Sequence, residues 1–142
     1  MKVAGSHHLP MPPDEAYRIM QDPEILARAI PGCESLEKIG QDEYKMKMKM
    51  ALASISGSFE GKVRITDQTP PTSFRLIVEG AGKIGFVKGD GLLKLAPADG
   101  GTEVTYEGDA QVGGTMAAVG QRLIDGTSKM MIKKFFEKLV SV

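Results

Sequence analysis

From Ser35 to Val112 apolar and polar side chains alternate at period two, segment after segment; from Thr115 to Val140 the period lengthens to that of a helix, with no proline to interrupt it. That change of period constrains the fold more than any other feature of the sequence. A run of antiparallel strands presents an apolar face that must be covered, and one long helix is available to cover it. In the first alternating segment Tyr44, Met46, Met48, Met50 and Leu52 share one face, and Lys45, Lys47 and Lys49 the other. Phe59, Gly61, Val63 and Ile65 then alternate with Ser58, Glu60, Lys62 and Arg64, and Phe74, Leu76 and Val78 with Arg75, Ile77 and Glu79. A glycine-rich stretch runs to Leu95, and Val104, Tyr106, Ala110 and Val112 share one side of a last strand. Turns are expected at Ser56-Gly57, at Asp67 to Pro71 and at Ala98 to Gly101.

Lys2 to Leu9 reads as an opening strand. Two helix starts follow it: Pro12-Pro13-Asp14-Glu15, and Asp22-Pro23-Glu24 with Asp22 as N-cap. The second helix stops at Pro31-Gly32. The order predicts an α+β fold in which a strongly curved antiparallel sheet wraps one C-terminal helix and leaves a pocket between them. On a helix spanning Thr115 to Val140, Met116, Val119, Gly120, Leu123, Thr127, Met130 and Met131 fall on one side. Ile132, Phe135, Phe136 and Leu139 then drift around the axis by more than a quarter turn, so the last turns are expected to meet a different surface or a partner.

A chain of 142 residues fits one domain, taken as residues 1–142. Its formal net charge is zero, which supplies no basic field for nucleic acid. The lone Cys33 forms no intrachain disulfide and points to a cytoplasmic setting. No run of roughly 18 apolar residues spans a bilayer, and the start MKVAGSHHLPMPP lacks the apolar stretch of a signal peptide.

Catalytic and metal signals are weak. Gly80-Ala81-Gly82-Lys83-Ile84-Gly85 matches GxGxxG, but a dinucleotide site needs a helix to begin there, and Phe86 to Leu95 has strand character. His7 and His8 are adjacent on a strand and point to opposite faces, so they do not share an ion. Cys33 has no base beside it in sequence and reads as a small hydrophobe. Lys45, Lys47, Lys49, Lys62 and Arg64 form a solvated sheet face with Glu60 among them and no outward aromatics for RNA. No acid–base or nucleophilic set assembles, and no catalytic residue, metal or cofactor is assigned. The nine methionines stand out in a chain without Trp. Met46, Met48 and Met50 either meet Met116 and Met130 in a solid core or form the adaptable lining of a cavity; the avoidance of β-branched residues on that face favours the cavity.

Several stretches resemble one family. These are DPEILARAIPGCESLEKIG at Asp22 to Gly40, FEGKVRITDQTPPTSFRL at Phe59 to Leu76, GFVKGDGLLKLAP at Gly85 to Pro97, and YEGDAQVGGTMAAVGQRLIDGTSKMMIKKFFEKL at Tyr106 to Leu139. Together they resemble the carbon monoxide dehydrogenase CoxG family, within the START-like (SRPBCC), helix-grip superfamily. The resemblance implies a seven-stranded antiparallel sheet gripping the C-terminal helix, with a lipophilic cavity between them. It also implies an accessory role beside a molybdenum hydroxylase, through recruitment to the membrane or carriage of a quinone-like electron acceptor. Many members carry a C-terminal tail thought to contact the membrane, whereas this sequence stops at Val142, just after the helix; the pocket is what carries over.

The leading expectation is therefore a non-enzymatic binding protein for a hydrophobic small molecule, lipid-like or quinone-like. Ile30, Tyr44, Met46, Met48, Met50, Phe59, Phe74, Leu76, Tyr106, Met116, Val119, Leu123 and Met130 are expected to line its site, with the mouth near Ile30-Pro31-Gly32. The alternative is a ligand-free adaptor that docks such an enzyme or recruits it to the inner face of the membrane, its motive being the drifting stripe of Ile132, Phe135, Phe136 and Leu139. A hydrolase or cyclase, as occurs elsewhere in the superfamily, lacks its acid–base set here.

Overall fold

The computed structural model describes residues 1–52 and 55–141. Its elements follow in the order β1 (Lys2–Leu9), α1 (Pro13–Ile19), α2 (Pro23–Ala29), β2 (Cys33–Gly40), β3 (Glu43–Leu52), β4 (Ile55–Thr69), β5 (Ser73–Gly82), β6 (Gly85–Ala98), β7 (Gly101–Gly113), a 3-10 turn (Gly114–Val119) and α3 (Gln121–Val140). The strands form one seven-stranded antiparallel sheet in the order β1-β7-β6-β5-β4-β3-β2. From β2 onward each strand pairs with the next in sequence, while β1 pairs with the last, running Lys2 opposite Asp109 to Leu9 opposite Thr102. The curved sheet is not closed into a barrel: β1 and β2 are its two edges, and α1 and α2 carry the chain from one to the other. This is a helix-grip arrangement.

Local chemistry sets the boundaries. Pro12 is extended and Pro13 opens α1, with Asp14 and Glu15 complementing the partial positive charge of its first turn. At α2 the Asp22 carboxylate accepts from the backbone N–H groups of Glu24 at 2.9 Å and Ile25 at 3.4 Å. Pro31 follows α2, Gly32 turns the chain at φ 77°, and the Gly32 carbonyl accepts from Lys49 N–H at 2.8 Å, which delivers the chain into β2. Between β6 and β7 the two loop residues Asp99 and Gly100 both have positive φ, 47° and 77°, matching the right-handed twist of the flanking strands.

Three boundary expectations are corrected. Ser56 and Gly57 are not a turn: they lie inside β4, paired with Ala51 and Met50. Leu52 pairs with Ile55, so the connection lies at 53–54, outside the described residues. Asp67 to Thr69 belong to β4 as well; the residue at φ 52° is Asp67, and the register with β5 shifts between Thr66 and Thr69, which is how a bulge absorbs an extra residue without ending the strand.

The third correction concerns the long helix. It does not run from Thr115. Gly114 to Val119 wind as a 3-10 turn, Gly120 takes φ 101°, and α3 begins only at Gln121. Counting helical phase from Thr115 therefore misplaces everything beyond Gly120. In the true phase Ile124, Phe136 and Leu139 are buried, with Met131, Ile132 and Phe135 half-buried between them, and the stripe is continuous along α3. The last turns do meet a different surface, as expected, and that surface is the protein's own: Ile132, Phe135, Phe136 and Leu139 pack in one apolar cluster, while Met116 and Val119 pack in another.

That core has two parts. The larger gathers Leu9 and Val104, Tyr17 and Met20 of the helical connection, Tyr44, Ile65, Phe74 and Leu95 of the sheet, and Phe136 and Leu139 of α3. The smaller, around Phe59 and Met116, includes Met48, Met50, Ile84, Val87, Val112 and Val119. Thr102 is fully buried in the structure, and its hydroxyl donates to the Met11 carbonyl at 2.7 Å.

Candidate functional site

Strand register fixes which side chains enter the concave face beneath α3. Val63 lies opposite Val78, Gly61 opposite Gly80, Val78 opposite Gly89, Leu76 opposite Gly91, and Gly91 opposite Gly108. Directly opposed residues share a face, so Gly61, Gly80, Gly89, Gly91 and Gly108 make an oblique band without side chains across the middle of that face. The five glycines have different causes. A Cβ on Gly108 would stand 2.8 Å from the Gly91 Cα, and one on Gly61 would stand 2.6 Å from the Gly80 Cα; here the strands approach too closely for a side chain. A Cβ on Gly80, Gly89 or Gly91 would find its nearest atoms at 3.8, 3.4 and 3.4 Å, ordinary contact distances. At these three positions the band is open by composition, not by steric need. Val78, between them, is half-buried and packs into neither core cluster.

At one margin of the helix–sheet interface lies a groove of about 440 Å³. Pro31 and Gly32 form one lip, and Lys49 and Met50 of β3 form another. The wall opposite comes from α3: Met130 and Met131 as its apolar part, Lys134, Glu137 and Lys138 as its charged rim. Spacing along a helix explains the grouping, since residues 130, 134, 137 and 138 recur at three and four positions and share one side.

The sequence-expected residues do not fall on a single lining. Tyr44 and Phe74 are buried in the larger cluster, where Leu76 and Tyr106 pack partly buried; Phe74 meets the Tyr17 ring edge-on at 5.5 Å. Phe59 and Met116 are the buried pair of the smaller cluster, with Met48, Met50 and Val119 around them. Met46 is buried between Leu36 and Gly61 in the register. Met50 and Met130 share the groove, and Ile30 is half-buried just before its Pro31 lip. Leu123 is a correction: it is 37 % exposed, because the shortened helix gives the inward position to Ile124.

Other residues at the site escaped the sequence reading. Met131 falls on the expected apolar side of the helix but outside the expected lining, and Lys134 and Lys138 follow from Met130 at spacings of four. The glycine band could not, because glycines lack a side chain that marks a face until register is known. His7 also went unassigned to its neighbours: it points inward and stacks on Phe136 with centroids 4.2 Å apart, beyond which lies Tyr106 at 6.0 Å. Burial lowers the His7 pKa, partly opposed by the nearby Glu137 carboxylate. Burial raises the pKa of Tyr106, and burial together with Asp42 and Asp22 raises that of Tyr44, so both phenols stay protonated and able to donate. Burial likewise raises the pKa of Cys33, whose Sγ sits 3.5 Å from the Ser35 carbonyl, and an unionised thiol is a poor nucleophile.

GxGxxG resolves into a hairpin: β5 runs through Gly82 and β6 restarts at Gly85, leaving no helix to receive a phosphate. On the convex face Lys47 lies opposite Glu60, Lys62 opposite Glu79 and Lys45 opposite Glu37, so glutamates are interleaved with the lysines, although Lys45 and Lys62 also face each other. Among the described residues no three His, Cys, Asp or Glu side chains converge as metal ligands, and no helix is long and apolar enough to cross a membrane.

Residues 5–142 match the family described as the G subunit of carbon monoxide dehydrogenase (CoxG). The chain belongs to the CoxG family. CoxG proteins are non-catalytic accessory proteins, which accords with a site built from apolar side chains and glycines. Among solved structures, a conserved protein from Geobacillus kaustophilus is 37% identical, with a TM-score of 0.96 over 99% of this chain and 93% of its own. A protein of Chromobacterium violaceum has a TM-score of 0.72 at 16% identity, over 99% of this chain and 96% of its own. One of Mycobacterium smegmatis has a TM-score of 0.73 at 16% identity, over 99% and 88%. The last two share the fold alone. No curated protein matches the chain.

Proposed function

We propose that this CoxG protein is a carrier for a hydrophobic, lipid-like or quinone-like small molecule, working in the cytoplasm or at the inner membrane face as accessory to a molybdenum hydroxylase of the carbon monoxide dehydrogenase type. The observation that carries the reading is the concave face itself. Between two separate apolar clusters lies a band of five glycines, three of which have room for a side chain, and the inward Val78 is only half-buried and joins neither cluster. A fold that needed only a solid interior would gain from filling Gly80, Gly89 and Gly91, since a strand glycine costs roughly 0.5–1 kcal/mol against alanine. Leaving them bare keeps a flat apolar floor between Leu76 and Met46, with Met48 and Met50 as the adaptable wall toward the groove. Apolar contact at roughly 25 cal/mol per Å² would supply affinity, and the Tyr44 and Tyr106 phenols would supply hydrogen bonds to a carbonyl or hydroxyl.

The test is thermal stabilisation of the delipidated protein by a panel of quinones and fatty acyl compounds, with mass spectrometry of lipids extracted from protein purified without delipidation. Binding is expected, and Val78→Phe should abolish it while the variant unfolds within about 1 kcal/mol of the parent. If the panel leaves the melting temperature unmoved and no lipid co-purifies, the carrier reading is wrong.

A further inference from the structure

We infer that the groove beside α3 receives the head of a single-chain anionic amphiphile, with a long-chain fatty acid as the type compound. The inference rests on the carrier reading and specifies which end of the ligand faces the solvent. Its basis is a charge distribution that the chain as a whole does not have. Net charge is zero overall, yet two lysines of α3, Lys134 and Lys138, border this groove against one carboxylate, Glu137, while Lys49 contributes at its lip from a strand position whose side chain faces the convex side. That carboxylate is partly balanced by Lys133, one turn back on α3, whose ammonium stands 3.9 Å from Glu137 Oε1. Among the described residues neither Lys134 nor Lys138 lies within 4.0 Å of an acid, whereas Lys62 on the convex face stands 4.0 Å from Glu43 Oε1.

Beneath the lysines the lining changes character. Met50, Met130 and Met131 form the inner wall, and Met50 also belongs to the cluster of Met48, Phe59 and Met116 that leads toward the glycine band. A ligand placed here meets ammonium groups at the rim and thioethers below them. A neutral ligand would leave the rim unused; a carboxylate on an alkyl chain satisfies both ends. Two lysines at positions 134 and 138 are one helical turn apart and can contact the two oxygens of one carboxylate. The volume, about 440 Å³, lies within the usual span of small-molecule sites, roughly 300–1,000 Å³.

The experiment compares tetradecanoate with tetradecanol on the intact delipidated protein, by displacement of a neutral fluorescent naphthylamine at low and high salt. Solvent-exposed ion pairs with the rim lysines should make the acid bind about five- to tenfold more tightly, an advantage that shrinks with salt. The double variant Lys134→Gln, Lys138→Gln should lose that advantage and bind the alcohol as the parent does; Lys45→Gln on the convex face should change neither. If acid and alcohol bind the parent equally, head-group recognition is refuted while the carrier reading stands. If neither displaces the dye, both readings fall. A parallel arm with phosphatidylglycerol vesicles distinguishes a membrane surface from a free ligand: loss of vesicle binding in the double variant, with affinity for monomeric tetradecanoate unchanged, would overturn the proposal.

Discussion

Gly91 and Gly108 face each other across β6 and β7, and alanine at each should have opposite consequences. At Gly108 a Cβ would stand 2.8 Å from the Gly91 Cα and 3.1 Å from the Asp90 carbonyl carbon. Both are backbone atoms fixed in a ladder, so they cannot rotate away as a side chain could. The strands must part where the sheet bends, and the cost is that of overpacking with no rotamer to relieve it, about 3 kcal/mol. At Gly91 the nearest atom to a Cβ is the Glu107 carbonyl oxygen at 3.4 Å. Nothing need move, and the unfolded chain loses entropy, so Gly91→Ala should lie between neutral and about 1 kcal/mol more stable. The readout is the urea midpoint at fixed m-value. With m of about 2 kcal/mol per molar, Gly108→Ala should fall by about 1.5 M while Gly91→Ala stays level or rises by up to about 0.5 M. Equal losses at the two positions would refute the division of the glycine band into close-approach and open members, and with it the main support for a hollow concave face.

Three further outcomes follow from local chemistry. Gly126 lies inside α3, and a Cβ there has nothing within 4 Å, so Gly126→Ala should stabilise the protein by about 1 kcal/mol and raise Tm by a few degrees in calorimetry. Asp22→Ala removes the cap that holds the Glu24 and Ile25 N–H groups and should cost about 1 kcal/mol in chemical denaturation. The His7 pKa is lowered in the folded state from its ordinary 6.5, so the unfolded chain takes up the proton first: stability should decline as pH falls below 6.5, level off beneath the folded pKa, and be unaffected by this group above neutrality. Urea midpoints of the parent and of His7→Phe, which preserves the stack on Phe136, should diverge only in that acidic window; parallel curves would exclude His7 as the source.

How much was legible in the sequence depended on whether a signal was local. The N-cap at Asp22, the proline starts of α1 and α2, and the Asp99-Gly100 hairpin each arise within a few residues, and each was readable. The alternation of Tyr44, Met46, Met48 and Met50 against lysines assigned faces correctly, because a strand's period is set by its own backbone. What failed was extrapolation of phase. Val119, Gly120 and Leu123 fit a helical stripe on paper, but a 3-10 turn and a glycine at φ 101° intervene, and a rotation of that size hands Leu123's inward place to Ile124. The stretches GGT and VGQ carried the warning, since each glycine in a helical pattern costs about 1 kcal/mol against alanine and two of them bracket this short apolar segment. The site was less accessible still. Its lining combines β3, the lip at Pro31-Gly32 and two turns of α3, and only the three-dimensional register shows that five glycines far apart in sequence form one band.

The pairing of β1 with β7 joins residues about a hundred positions apart, whereas every other seam in the sheet is a hairpin between consecutive strands. Hairpins close short loops quickly, and a seam of that span waits until the intervening chain is already compact. Leu9, His7 and the Phe136 ring then lock together at once, coupling the amino-terminal strand to the last turns of α3. Amide exchange should therefore find β1 and the end of α3 opening as one cooperative unit, with the β2-to-β7 ribbon still protected. The piece written first is the piece that the molecule completes last.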